Sequence, residues 1–178
     1  MTASGETQPA QQFVLVLGSY IVSYGQNELS PVAQTDLRVA KSSLPFHLAI
    51  DLTNIGVIAL ASGPQVYVFD TLSLANPIGS HTIVLVRSRP GHEKVIGPAW
   101  MIARFALPGE QFPPGAPSAQ SIAAARRALS CQPLSSYLHA ITAPMSFRQA
   151  FSNITNSLKY TTMSFSPNPI QAARTLCG

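Results

Sequence analysis

Charge is scarce in this chain. Of its 178 residues, 10% are Asp, Glu, Lys or Arg, while 46% are hydrophobic. That balance excludes a disordered polyelectrolyte, which cannot bury enough apolar surface to order itself. A chain of this size hides about 70% of its unfolded surface on folding, so it needs neither a disulfide nor a metal to hold a core. Cysteine is limited to Cys131 and Cys177; the pair reads as reduced thiols in a reducing compartment, with a single disulfide as the other reading. Long apolar runs are missing too. The stretches 13–22 and 55–61 fall short of the roughly 18 residues a membrane span requires, so no membrane partner is expected. The first ten residues carry no lysine or arginine and lack the basic region of a secretory signal, which points to a chain that is not secreted.

Reaction signatures are equally absent. Neither G-x-G-x-x-G nor a Walker sequence occurs, so no glycine-rich loop offers backbone N–H groups to a phosphate. The nucleophile elbow G-x-S-x-G is missing as well. Four histidines, His47, His81, His92 and His139, are scattered with no ligand spacing, and no metal or cofactor is expected. The eight-residue spacing of Cys131 and His139 says nothing for or against a thiol–imidazole pair, and a small core thiol is the favoured reading. Asp51 and Asp70 read as strand-end turn residues more readily than as paired acid and base.

What is present has a direction. Residues 13–17 and 19–24 are rich in β-branched and aromatic types and predict a strand pair or one bent strand. The alternation in 46–52 and the runs 57–61 and 65–70 continue the β pattern. Residues 82–87 and 95–107 flank Arg89-Pro90-Gly91-His92, which predicts a hairpin with a basic tip; the segment 100–107 reads alternatively as a short buried helix. Four prolines between 108 and 117 exclude helix and central strand there. Beyond them the period changes to 3.6. Ser118 caps a helix with Ile122, Ala125 and Leu129 on its apolar face, and Ser146 caps another with Phe147, Ala150, Phe151, Ile154 and Leu158. A last helix runs from Pro169 to Leu176. The fold class expected is α+β: an N-terminal, mostly antiparallel β region, a Pro-rich loop, then C-terminal helices. Residues 1–11 form an arm, and 12–178 a single domain divided into a β-rich part (12–107), the loop (108–117) and a basic helical part (118–178). Trp100, Phe105, Phe147 and Phe151 are expected in the core, whereas Tyr137, Tyr160 and Phe165 are free to stack on a base or a neighbouring subunit.

Charge is graded along the chain. Residues 1–80 carry a net −3, residues 81–110 a net +2, and the 68 residues after Glu110 a net +5 with no carboxylate. Cations without neighbouring acids are available to an external polyanion, and eight arginines to three lysines favour phosphate oxygens, which the guanidinium fork matches bidentately. On this ground the candidate RNA contacts are Arg87, Arg89 and Lys94 at the hairpin tip and Arg126, Arg127, Arg148, Lys159 and Arg174 after the loop. Binding through phosphates carries no sequence specificity, and eleven cations in all imply many subunits acting together.

Alanine occurs 22 times, serine 20 and proline 15, with segments such as Gly115-Ala116-Pro117-Ser118-Ala119 and Ile122-Ala123-Ala124-Ala125-Arg126-Arg127. This composition resembles the proline-alanine-serine-rich proteins of polymycoviruses, fungal RNA viruses whose genomes this protein coats. The resemblance implies a non-enzymatic, self-associating RNA-coating protein, a homo-oligomer of host cytoplasm or virion. The other reading is a small enzyme or ligand-binding domain whose site forms only in three dimensions.

Overall fold

The computed structural model describes residues 66–106 and 116–178, together with the backbone of four strands in the chain before them. Two compact units are formed. Met1–Phe69 with Ala106–Pro114 makes the first, and Asp70–Phe105 with Gly115–Gly178 the second.

In the first unit β1 (Val14–Leu17) and β2 (Tyr20–Tyr24) pair antiparallel, with Val14 opposite Ser23 and Leu17 opposite Tyr20. The strand pair is thus present where branched and aromatic residues predict it. Pro31–Val32, β3, adds to β2 antiparallel. A separate two-stranded sheet joins β4 (Leu48–Leu52) to β5 (Val66–Asp70). The arm 1–11, the run 57–61 and most of the Pro-rich loop lie outside the described residues.

In the second unit the chain leaves β5 through a turn built by two side chains. The Asp70 carboxylate accepts hydrogen bonds from Leu72 N at 2.9 Å and Ala75 N at 2.7 Å, the turn role its strand-end position predicts. Asn76 Oδ1 then accepts from Ile78 N and Gly79 N, opening a 3-10 turn at Gly79–His81. No hairpin follows. Residues 83–97 are irregular, and α1 (Pro98–Phe105) takes the place of the second limb. The reason lies in α1's burial: Ala99, Trp100, Met101, Ile102, Ala103 and Phe105 are all inside, and a short, nearly continuous apolar run reads as a buried strand as readily as a buried helix. Proline at its first position suits a helix start, where the missing N–H has no partner to lose.

Four further helices follow: α2 (Ala119–Ser130), α3 (Leu134–Thr142), α4 (Phe147–Thr161) and α5 (Pro169–Cys177). Ser118 Oγ accepts from Ser121 N and Ser146 Oγ from Gln149 N, as their sequence positions predict. Asn168 caps α5 through Ile170 N and Gln171 N. α2 packs on both α1 and α5. Its buried residues are Ile122, Ala125 and Ala128, and those of α5 are Ala172 and Ala173, so small side chains let the backbones come close. The thiols do not stay reduced: Cys131 after α2 and Cys177 at the end of α5 form a disulfide with Cα atoms 5.4 Å apart. Helix packing brings them together across 46 positions, a proximity that sequence spacing does not encode. Trp100 and Phe105 are core as expected; Phe165 is buried as well, against the expectation that it would be free to stack. Trp100 donates from Nε1 to Pro167 O at 2.8 Å and lies 5.8 Å from the Phe165 ring. Phe147 and Phe151 are not core. They stand exposed on α4, a helix with no buried residue.

Candidate functional site

A cleft of 510 Å³ opens in the second unit between the 3-10 turn, Lys94, α3 and the end of α4. Its floor is tied by main chain: Phe165 N donates to His81 O and Ile83 N donates to Phe165 O, a short parallel bridge at Thr82 and Phe165. Ile96 N donates to Thr71 O, and Lys94 Nζ donates to Ser80 O at 2.6 Å. These bonds hold residues 94–96 against the turn and place one ammonium at the edge of the cleft.

The aromatic row is the distinguishing feature. His81 meets Tyr137 edge-on at 4.5 Å between ring centres, and Tyr137 meets Tyr160 at 5.5 Å. His81 Nδ1 bonds Met163 O at 3.2 Å. A carbonyl only accepts, so in the neutral ring Nδ1 carries the proton and Nε2 offers a lone pair. Burial lowers the His81 pKa below its ordinary value, the bond to Met163 O opposes this, and the Lys94 charge lowers it further. Burial raises the Tyr137 pKa, against a hydrogen bond with Ser80 and the field of Arg104. Both rings are therefore neutral at neutral pH. Around them stand the hydroxyls of Ser80, Thr161, Thr162 and Ser164. Thr161 and Thr162 donate back to Ser157 O and Leu158 O, which leaves their oxygens as acceptors.

Among the described residues no carboxylate lines this cleft, and no group of three metal-ligating side chains gathers anywhere. The arrangement offers ring faces, neutral donors and acceptors, and one cation. It suits a polyhydroxylated, uncharged or weakly anionic ligand better than proton transfer between paired acids.

Of the residues proposed from charge, only Lys94 reaches the cleft. Arg87 and Arg89 are exposed in the irregular 83–97 segment. Arg126 and Arg127 lie on α2, Arg148 and Lys159 on α4, and Arg174 on α5. The structure assembles no single basic surface from them at this site. Sequence reasoning missed His81, set aside as one of four scattered histidines. Tyr137 and Tyr160 were singled out as candidate stacking residues and do line the cleft.

The sequence profile of the AftB family C-terminal domain matches residues 16–175. The chain belongs to that family. A terminal β-(1→2)-arabinofuranosyltransferase of Mycobacterium tuberculosis is 30% identical over 145 residues, 78% of this chain and 23% of the relative. The chain thus spans about a quarter of that relative's length, and no solved structure matches it. Membership in the AftB C-terminal family overturns the resemblance to polymycovirus coat proteins. With it fall the RNA partner, the coating homo-oligomer and the non-enzymatic assignment, because the matching family and relative contain nothing of a viral coat protein and the relative is by name an arabinofuranosyltransferase. The alanine and serine that carried that resemblance have structural uses here. Alanines 125, 128, 172 and 173 are the buried small residues of α2 and α5, and Ser118 and Ser146 are helix caps.

Proposed function

We propose that this chain is the C-terminal module of an arabinofuranosyltransferase-type enzyme, and that the His81–Tyr137–Tyr160 cleft holds the arabinofuranosyl end of the acceptor glycan. The observation that carries the proposal is the aromatic row ringed by neutral hydroxyls. A furanose presents C–H edges that pack on ring faces and hydroxyls that need donors and acceptors in fixed directions. His81 Nε2 and the Thr161 and Thr162 oxygens accept from sugar hydroxyls, while Lys94 donates. Asp70 and Glu93 are the carboxylates among the described residues of this unit; neither lines the cleft, and Asp70 is occupied with its turn. The cleft accordingly binds and orients, and proton transfer belongs elsewhere in the enzyme. The Cys131–Cys177 bond supports a site of action in an oxidising compartment, outside a reducing cytoplasm.

Calorimetric titration with an arabinofuranosyl oligosaccharide tests this reading. Binding is expected, with Tyr160→Ala weakening it by about tenfold, the equivalent of about 1.4 kcal/mol, and a glucopyranosyl oligosaccharide of equal length binding more weakly. Equal affinity for both sugars, or no effect of the Tyr160 change, contradicts it.

A further inference from the structure

α4 is an amphipathic helix attached by its polar side. Gln149 Nε2 and Asn153 Nδ2 donate to Ala140 O on α3 at 3.4 and 3.3 Å, and Tyr160 packs on Tyr137. Positions 149, 153 and 160 share one face of the helix, and that face meets the rest of the unit. The apolar stripe points away from it: Phe147 is 98% exposed, Phe151 69%, Ile154 71% and Leu158 79%, with Met145 at 74% just upstream. Four large apolar side chains along a helix of about 22 Å are held outward by bonds on another side. The arrangement is fixed by the fold and is not a frayed core.

Beside the stripe, one step around the helix, lie Arg148, Ser152, Thr155 and Lys159. The helix carries no carboxylate, nor does any position after Glu110. The pairing of exposed apolar residues with cations recurs at 83–89, where Ile83, Val84, Leu85 and Val86 are exposed ahead of Arg87 and Arg89. We propose that α4 lies in the plane of an anionic lipid surface, its Phe147–Leu158 stripe among the acyl chains and Arg148 and Lys159 at the headgroup phosphates. Charge complementarity selects this occupant: apolar area and electrostatic attraction to anionic lipids together drive interfacial helices, whereas a protein surface matched to the stripe alone has no use for the cationic flank. No helix among the described residues is long and apolar enough to cross a membrane, and a helix lying in the interface needs no such length. The inference goes beyond the glycan-binding reading and does not depend on it.

Co-sedimentation of the full chain with vesicles is the test, comparing phosphatidylcholine alone with phosphatidylcholine containing 30% phosphatidylglycerol. The wild type is expected to bind the anionic vesicles at least tenfold more tightly. The double change Phe147→Ser with Leu158→Ser, at two exposed positions, is expected to abolish binding while leaving the helical circular dichroism intact. Arg148→Gln with Lys159→Gln is expected to lower affinity for anionic vesicles by about fivefold per cation and leave the weak binding to phosphatidylcholine unchanged. Failure of the wild type to bind either vesicle overturns the proposal. So does sedimentation equilibrium showing a dimer that Phe147→Ser with Leu158→Ser dissociates, since a second copy then covers the stripe.

Discussion

Ser73 and Gly79 occupy one small space. Ser73 has φ +65°, a left-handed conformation that costs a residue with a Cβ about 1–2 kcal/mol, and its buried hydroxyl has no hydrogen-bond partner among the described residues. A Cβ on Gly79 would overlap the Ser73 Oγ. Gly79→Ala is therefore expected to destabilise by about 1–3 kcal/mol. Adding Ser73→Gly removes both the clash and the strain, so the double variant is expected to be more stable than Gly79→Ala alone, a coupling that urea denaturation of the single and double variants reads directly. Strictly additive effects would show that the two residues do not compete for that space.

His81 gives the residue scale a pH dependence. Its folded pKa is lowered, so the unfolded chain takes up the proton first as pH falls. The stability that the neutral ring contributes is whole above the ordinary value of about 6.5 and is lost on acidification from there down through the folded pKa. The urea midpoint of the wild type is expected to fall between pH 7.5 and pH 5 by more than that of His81→Gln. Parallel curves for the two proteins would refute a half-buried imidazole held neutral by the fold. Tyr137 and Tyr160 were legible in the sequence as stacking candidates, whereas His81 and the row the three rings form were not. Residues 81, 137 and 160 have no common spacing, and what joins them is the bridge at Thr82 and Phe165 together with α4 lying against α3.

Among the elements, those with a period and a cap were readable. β1 and β2 announce themselves by branched and aromatic residues; α2 and α4 begin at serines whose oxygens do cap them. α1 was ambiguous because it is buried on nearly every side, and the basic hairpin was wrong because the Pro90-Gly91 turn, closed by His92 N donating to Arg89 O, joins irregular segments and not paired strands. The α4 pattern was read correctly and its consequence misjudged. An apolar stripe says where hydrophobic residues lie on the helix, while the bonds of Gln149 and Asn153 decide which side meets the protein. The α2–α5 pair carries its own prediction. The disulfide closes a loop of 46 positions, and a loop of that size is worth about 4 kcal/mol in the chain-entropy account. Cys131→Ser with Cys177→Ser is expected to lose about that much on urea unfolding, and a loss under 1 kcal/mol would mean that packing of Ala125, Ala128, Ala172 and Ala173 alone holds the two helices.

At the scale of the whole molecule, composition and charge were the least reliable guides. The +5 balance after Glu110 is real, but its cations serve different places: Arg126 and Arg127 lie on α2, Arg148 and Lys159 flank the outward stripe of α4, and Arg174 lies on α5. A net charge has no address until the fold assigns one. The glycan-binding proposal rests instead on an aromatic cleft with hydroxyls and a single ammonium. The most direct measurement is the change in backbone amide NMR shifts of the full chain on titration with an arabinofuranosyl oligosaccharide. Shifts clustered at residues 80–82, 94, 137 and 160–164, with little change along 119–130 of α2, are the result this account predicts. Saturating glycan that leaves those amides unmoved, or that moves a different cluster, would contradict it.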